Sequence, residues 1–105
     1  MEEKMMNGLQ YFVIIGSTKL RDKFCTLLIE NGAHSLDTIY GRGSIGKSIL
    51  AQAFGLDSDQ KKAIISCLLP TENAKKVIDI LYNDYKFKKS NTGIAFSVPI
   101  QKLLF

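Results

Sequence analysis

Two short apolar runs limit what this chain can fold into. LQYFVIIG (Leu9–Gly16) and KKAIISCLL (Lys61–Leu69) are rich in β-formers, and the first is bounded by glycines, so both read as buried strands. Neither run alternates. Phe12 and Ile14 point to one side of the first and Val13 and Ile15 to the other, while Ile65, Cys67 and Leu69 stand back to back with Ile64 and Leu68 in the second. A sheet with one wet face shows alternation, so both faces of this sheet are expected to be covered. The 105 residues, 46% of them hydrophobic, suffice for a single domain spanning residues 1–105 with one core. Nothing else in the chain is available for the second face, which implies packing against further copies.

The remaining elements follow from punctuation and period. Ser17 is placed to cap a helix in which Leu20, Phe24, Leu27 and Leu28 recur at helical spacing, stopped by Asn31-Gly32. HSLDTIY (His34–Tyr40) reads as a second strand, and residues 41–60 as a long, glycine-bearing, flexible loop. After the apolar run, Pro70-Thr71 opens a second helix with Thr71 as its cap; Ala74, Val77, Ile78, Leu81, Tyr82 and Tyr85 form its apolar stripe. KKSNT is a turn, GIAFSVPI (Gly93–Ile100) a fourth strand, and residues 1–8 read as frayed. The order predicts an α+β fold, a ferredoxin-like βαββαβ sandwich. Its antiparallel sheet carries both helices on one face, with the long loop between its second and third strands.

Charge and cysteine usage narrow the function. The net charge of +4 is local rather than a dense basic field, and the strand aromatics Tyr11, Phe12 and Phe96 lack a basic-aromatic signature, so no nucleic-acid partner is expected. Cys25 and Cys67 sit in apolar runs and read as small buried hydrophobes. With no C-x-x-C pair and a lone His34, no metal site is expected. MEEKMMN lacks the apolar stretch of a leader, and no apolar run is long enough to span a bilayer. Cytoplasm is the expected location.

One octamer, GRGSIGKS (Gly41–Ser48), matches the phosphate-gripping G-x-x-x-x-G-K-[ST]. Glycines let backbone N–H groups approach phosphate, a lysine balances the charge, and a hydroxyl ligates Mg²⁺. The rest of a P-loop hydrolase is missing. The loop follows the second of four strands, the strand AIISCLLP ends in proline rather than a carboxylate, and nothing marks a water-positioning residue. A glycine-rich loop able to hold an anion survives, with the Arg42 fork suited to phosphate and Lys47 beside it.

Three stretches together resemble the PII family of nitrogen-regulatory signalling proteins. STKLRDKFCTLLIENGAHSLDTIYGRG has the order K-L, helix, glycine stop, strand and G-x-G; IISCLL returns from a long loop into a helix; NTGIAFSVPI is similar to G-D-G-K-I-F-V-x-P-V. The resemblance covers most of residues 9–100. It implies a homotrimer with an adenine nucleotide (ATP, ADP or AMP) in the cleft between subunits. It also implies that residues 41–60 regulate a protein target, a transporter or an enzyme. It places Thr38, Gly41, Arg42 and Gly43 at the loop base, with Asn91, Thr92 and Gly93 in a second phosphate-binding loop. Where the family has G-x-G-K, this chain has Asn91, Thr92, Gly93 and Ile94, so Lys88 and Lys89 are the cations left to substitute. The long loop is shorter and lacks the tyrosine-bearing modification motif, so uridylylation is not expected. Ile45, Phe54 and Leu56 are the apolar loop residues available to a partner. The expected function is non-enzymatic signalling. The alternatives are a ferredoxin-like trimer without nucleotide, in metal tolerance or a structural role, and the P-loop hydrolase.

Overall fold

The computed structural model describes residues 3–5, 8–42, 61–89 and 92–104. Strand β1 (Glu3–Met5) is followed by β2 (Leu9–Ser17), a 3-10 turn (Thr18–Leu20), helix α1 (Arg21–Glu30) and β3 (His34–Arg42). Then come β4 (Lys61–Pro70), helix α2 (Thr71–Asn83), β5 (Gly93–Pro99) and β6 (Lys102–Leu104). The four long strands form one antiparallel sheet in the order β3-β4-β2-β5. This is the expected ferredoxin-like βαββαβ arrangement. Among the described residues no helix is long and apolar enough to cross a membrane.

Register shows why the two central strands are apolar on both sides. Phe12, Ile14, Ile65, Cys67 and Leu69 lie beneath the helices, packed with Phe24, Leu27 and Leu28 of α1 and Ala74, Val77 and Leu81 of α2. On the other face, Ile39, Ile64, Ile15 and Ile94 line up across all four strands, and Leu68, Tyr11 and Val98 across three. The expectation that only further copies could cover this face is corrected in part. Val13, Ile15 and Ile94 are already buried within one chain, whereas Tyr11, Ile39, Phe96 and Val98 remain 41–60% exposed.

The helix ends are tied by side chains. Gly32 takes a φ of +83° after α1, a conformation glycine adopts without strain. Asn31 Nδ2 donates to the Leu27 carbonyl at 2.8 Å, and Asn73 Nδ2 of α2 donates to the Asn31 carbonyl at 2.8 Å. The expected cap at Thr71 does not form. Pro70 holds the cap position and makes no side-chain cap bond. Instead the Thr71 N–H donates to the Gly8 carbonyl at 2.8 Å, and Thr71 Oγ1 accepts from Gln10 Nε2 at 3.1 Å. A helix needs its first N–H groups satisfied but not by its own cap, and here the start of β2 supplies the partner.

Three further departures are local. The N-terminal residues are not simply frayed, since Glu3–Met5 pairs with Lys102–Leu104 as a separate two-stranded ribbon. Tyr82 leaves the apolar stripe of α2 and is 53% exposed, with Lys88 Nζ 5.9 Å from its ring centroid. β3 carries an irregularity between His34 and Asp37, where Ser35 has a φ of 55°.

Cys25 and Cys67 are free and buried as expected. Burial, with a contribution from Cys25, pushes the Cys67 thiol from 9.0 up to about 11. The folded state therefore keeps a proton that the unfolded chain releases. The resulting stabilisation is complete below about pH 9 and is lost as pH rises through about 11. Urea midpoints measured from pH 8 to 11 are expected to fall more steeply for the native chain than for Cys67→Ala; parallel profiles would refute the assignment.

Candidate functional site

The sheet gathers the sequence's candidate residues at one end. β2 and β3 finish there and β4 and β5 begin there: Gly16 pairs with Ala63 and Gly93, Ser17 and Gly41 with Lys62, and Arg42 with Lys61. Residues 43–60 leave from Arg42 and return at Lys61, so the base of the long loop lies on the β3–β4 side of this end of the sheet and the start of β5 on its opposite edge, with β4 and β2 between β3 and β5. Of the cations placed here, Lys61 is exposed and Lys62 is buried.

A row of small residues shapes this end. Ala63, Gly16 and Gly93 lie side by side on the helix-covered face, with Tyr40 next to Ala63 on edge strand β3. A Cβ on Gly16 would stand 2.9 Å from the Phe24 ring, and one on Gly93 would stand 2.6 Å from the Phe87 ring and 2.9 Å from the Ile15 carbonyl oxygen. Phe24 and Phe87 meet edge to face at 5.7 Å, and Tyr85 joins them 5.3 Å from Phe24. Gly93 thus has a packing role in addition to its place in the expected phosphate loop, and Thr92 stands half-buried just before it.

The other expected site residues divide. Gly41 lines a cavity of about 390 Å³ together with Thr18, Tyr40 and Lys61. Thr38 lies three residues back along β3, and its Oγ1 accepts from Arg21 Nε at 3.3 Å. Arg21 also pairs with Asp22 at 2.9 Å, a bond that holds its guanidinium protonated even more firmly than usual. Lys88 and Lys89 are exposed on a turn closed by the Lys89 N–H donating to the Lys86 carbonyl, and the Lys88 side chain lies over Tyr82. Gly43, Ile45, Lys47, Phe54, Leu56 and Asn91 lie outside the described residues.

Sequence reasoning passed over Thr18, Tyr40 and Lys61. The available signal was position: Tyr40 adjoins Gly41 at the loop base, and Lys61 is the first residue of the returning strand. Among the described residues no three His, Cys, Asp or Glu side chains are grouped to hold a metal.

The fold recurs in solved structures. CPII of Thiomonas intermedia K12, solved bound to ADP, AMP and acetate, superposes with a TM-score of 0.66 at 14% identity, over 98% of this chain and 90% of that one. CPII is a nitrogen regulatory PII-like protein. Arabidopsis thaliana PII bound to citrate gives 0.61 at 15% identity, over 90% of this chain and 79% of that one. A DUF3240 family protein from Shewanella baltica OS155 gives 0.54 at 20% identity, over 90% and 92%. No family model matches the sequence, and no curated protein matches it. At these identities the likeness is one of fold: the chain has the fold of PII-like signalling proteins.

Proposed function

We propose that the chain is a divergent PII-like signalling protein, without catalytic activity, that takes a small anion at the loop-bearing end of its sheet. The observation that carries this reading is the meeting, in strand register, of Gly41, Arg42 and Lys61 where residues 43–60 depart and return, with Gly93 at the same end of the sheet on its opposite edge. An adenine nucleotide is the first candidate, supported by the shared fold with CPII, which binds ADP and AMP. Thr38, Gly43, Lys47, Lys88, Lys89 and Asn91 complete the proposed site.

The ligand acts by favouring one arrangement of residues 41–60 over another, which requires that it bind that arrangement better. Ile45, Phe54 and Leu56 then engage or release a target, a transporter or an enzyme of nitrogen metabolism in the cytoplasm. The exposed apolar residues Tyr11, Ile39, Phe96 and Val98 support contact with further copies, and a homotrimer would place the ligand in a cleft between neighbours.

Isothermal titration with ATP, ADP, AMP and cyclic dinucleotides tests the reading. At least one adenine nucleotide is expected to bind, and Lys61→Ala is expected to weaken it about tenfold, the lower value of a hydrogen bond to a charged group. No heat and no thermal shift with any of the four would remove it. Native mass spectrometry is expected to give three subunits; a monomer at working concentration would remove the trimer.

A further inference from the structure

We infer that the Tyr40 ring is the platform on which the base of the bound nucleotide stacks, with the phosphates toward Lys61, so that the chain selects aromatic nucleoside phosphates over inorganic ones. This rests on the proposed nucleotide reading and assigns its specificity to one side chain.

The cavities of the described chain differ in what they can hold. The groove between α1 and α2, about 540 Å³, carries Asp22, Glu30 and Asp84 against Lys23, a field that repels a polyanion. A second, about 380 Å³ beside the start of α2, sets Lys75 against Asp79 and has no aromatic ring among its described lining. A third, at the β5 edge, holds Tyr82 and Phe87 in about 220 Å³, below the roughly 300–1,000 Å³ of small-molecule sites. The cavity at the loop base, about 390 Å³, combines an aromatic ring, an ammonium and a hydroxyl, with no carboxylate among its described lining.

Tyr40 is suited to stacking by its place in the sheet. It lies on the helix-side face of edge strand β3, opposite Ala63, and is 62% exposed. Of the other exposed rings, Tyr82 lies under Lys88, and Tyr11 and Phe96 are on the far face of the sheet. Gly41 follows immediately, without a side chain to hold the ligand off the backbone. A base laid on the ring gains affinity whatever its hydrogen-bonding edge, while Lys61 attracts the phosphates and Thr18 offers a hydroxyl that can donate or accept. A ring fixed on a strand is also held more rigidly than one on a loop.

The test compares ADP with inorganic pyrophosphate, which lacks a base, on the full chain by calorimetry. Tyr40→Leu is expected to weaken ADP about ten- to hundredfold and leave pyrophosphate unchanged. Tyr40→Phe, which keeps a ring, restores most of the ADP affinity, and Lys61→Ala weakens both ligands. The chain has four tyrosines and no tryptophan, so ADP is also expected to quench tyrosine emission, and the Tyr40→Phe variant loses part of that quench. Equal ADP affinity in the native chain and Tyr40→Leu would overturn the platform and leave the nucleotide site standing. Equal losses of ADP and pyrophosphate in Tyr40→Leu would overturn it too. A native chain that binds neither ligand overturns both readings.

Discussion

Replacing Phe24 by alanine is expected to remove about 3–5 kcal/mol of folding stability. The ring is fully buried between α1 and the sheet. It sits over Gly16, with Tyr85 and Phe87 at 5.3 and 5.7 Å. Each of those aromatic pairs adds about 0.5–1.5 kcal/mol beyond simple area burial, and both are lost together. The pocket cannot refill easily, because the row beneath it is built of Gly16, Gly93 and Ala63, which have almost no side chain to move inward. A domain of this kind holds about 5–15 kcal/mol in all, so one substitution takes a fifth of it or more. Urea unfolding followed by far-ultraviolet circular dichroism should show the midpoint fall with an unchanged slope. A loss below about 1 kcal/mol would mean that the ring is not the hub of this end of the core. Phe24→Leu keeps most of the volume and should fall between the two proteins.

The two central strands were legible because burial on both faces leaves a continuous apolar run, and the helices because their stripes repeat every three or four residues. Leu9–Ser17 and Thr71–Asn83 begin where composition places them. The ribbon of Glu3–Met5 and Lys102–Leu104 was not legible. Its three-residue strands have no period to read, and each finds its partner at the far end of the chain. Thr71 has the residue type of a cap, but a competing acceptor role toward Gln10 is set by the fold and not by its neighbours in sequence. Tyr82 fits the helical stripe and yet is exposed, with Lys88 rather than the core against its ring. At the candidate site, Gly41 and Arg42 were legible from their glycine-rich setting. Tyr40 and Lys61 were not, since no motif marks them. What joins Tyr40 to Lys61 is the register of β3 against β4, and register follows from the packing of whole strands.

Gly93→Val is the other substitution of large expected effect, about 1–3 kcal/mol or more. Its Cβ would stand 2.6 and 2.8 Å from two Phe87 ring atoms and 2.9 Å from the Ile15 carbonyl oxygen. The ring is the end of a side chain and can turn aside, but only by leaving its edge contact with Phe24. The carbonyl belongs to central strand β2, paired on both sides by β4 and β5, and cannot move without disturbing two ladders. The double variant Gly93→Val with Phe87→Ala should therefore recover part of the loss seen in Gly93→Val, measured against Phe87→Ala alone, and not all of it. Full recovery would show that the ring alone forbids a side chain, and no recovery that the backbone alone does. The glycine is required here whether or not a phosphate ever approaches it. Its presence in a phosphate-loop pattern therefore does not argue for a ligand, and the weight of the nucleotide reading falls on the cationic and aromatic groups at the β3–β4 side of this end, Lys61 and Tyr40. Binding measured in Gly93→Ala, at a temperature where that variant remains folded, separates the two roles. Unchanged affinity is expected if the glycine serves packing alone, and a loss matched to that of Lys61→Ala if the ligand also lies against it.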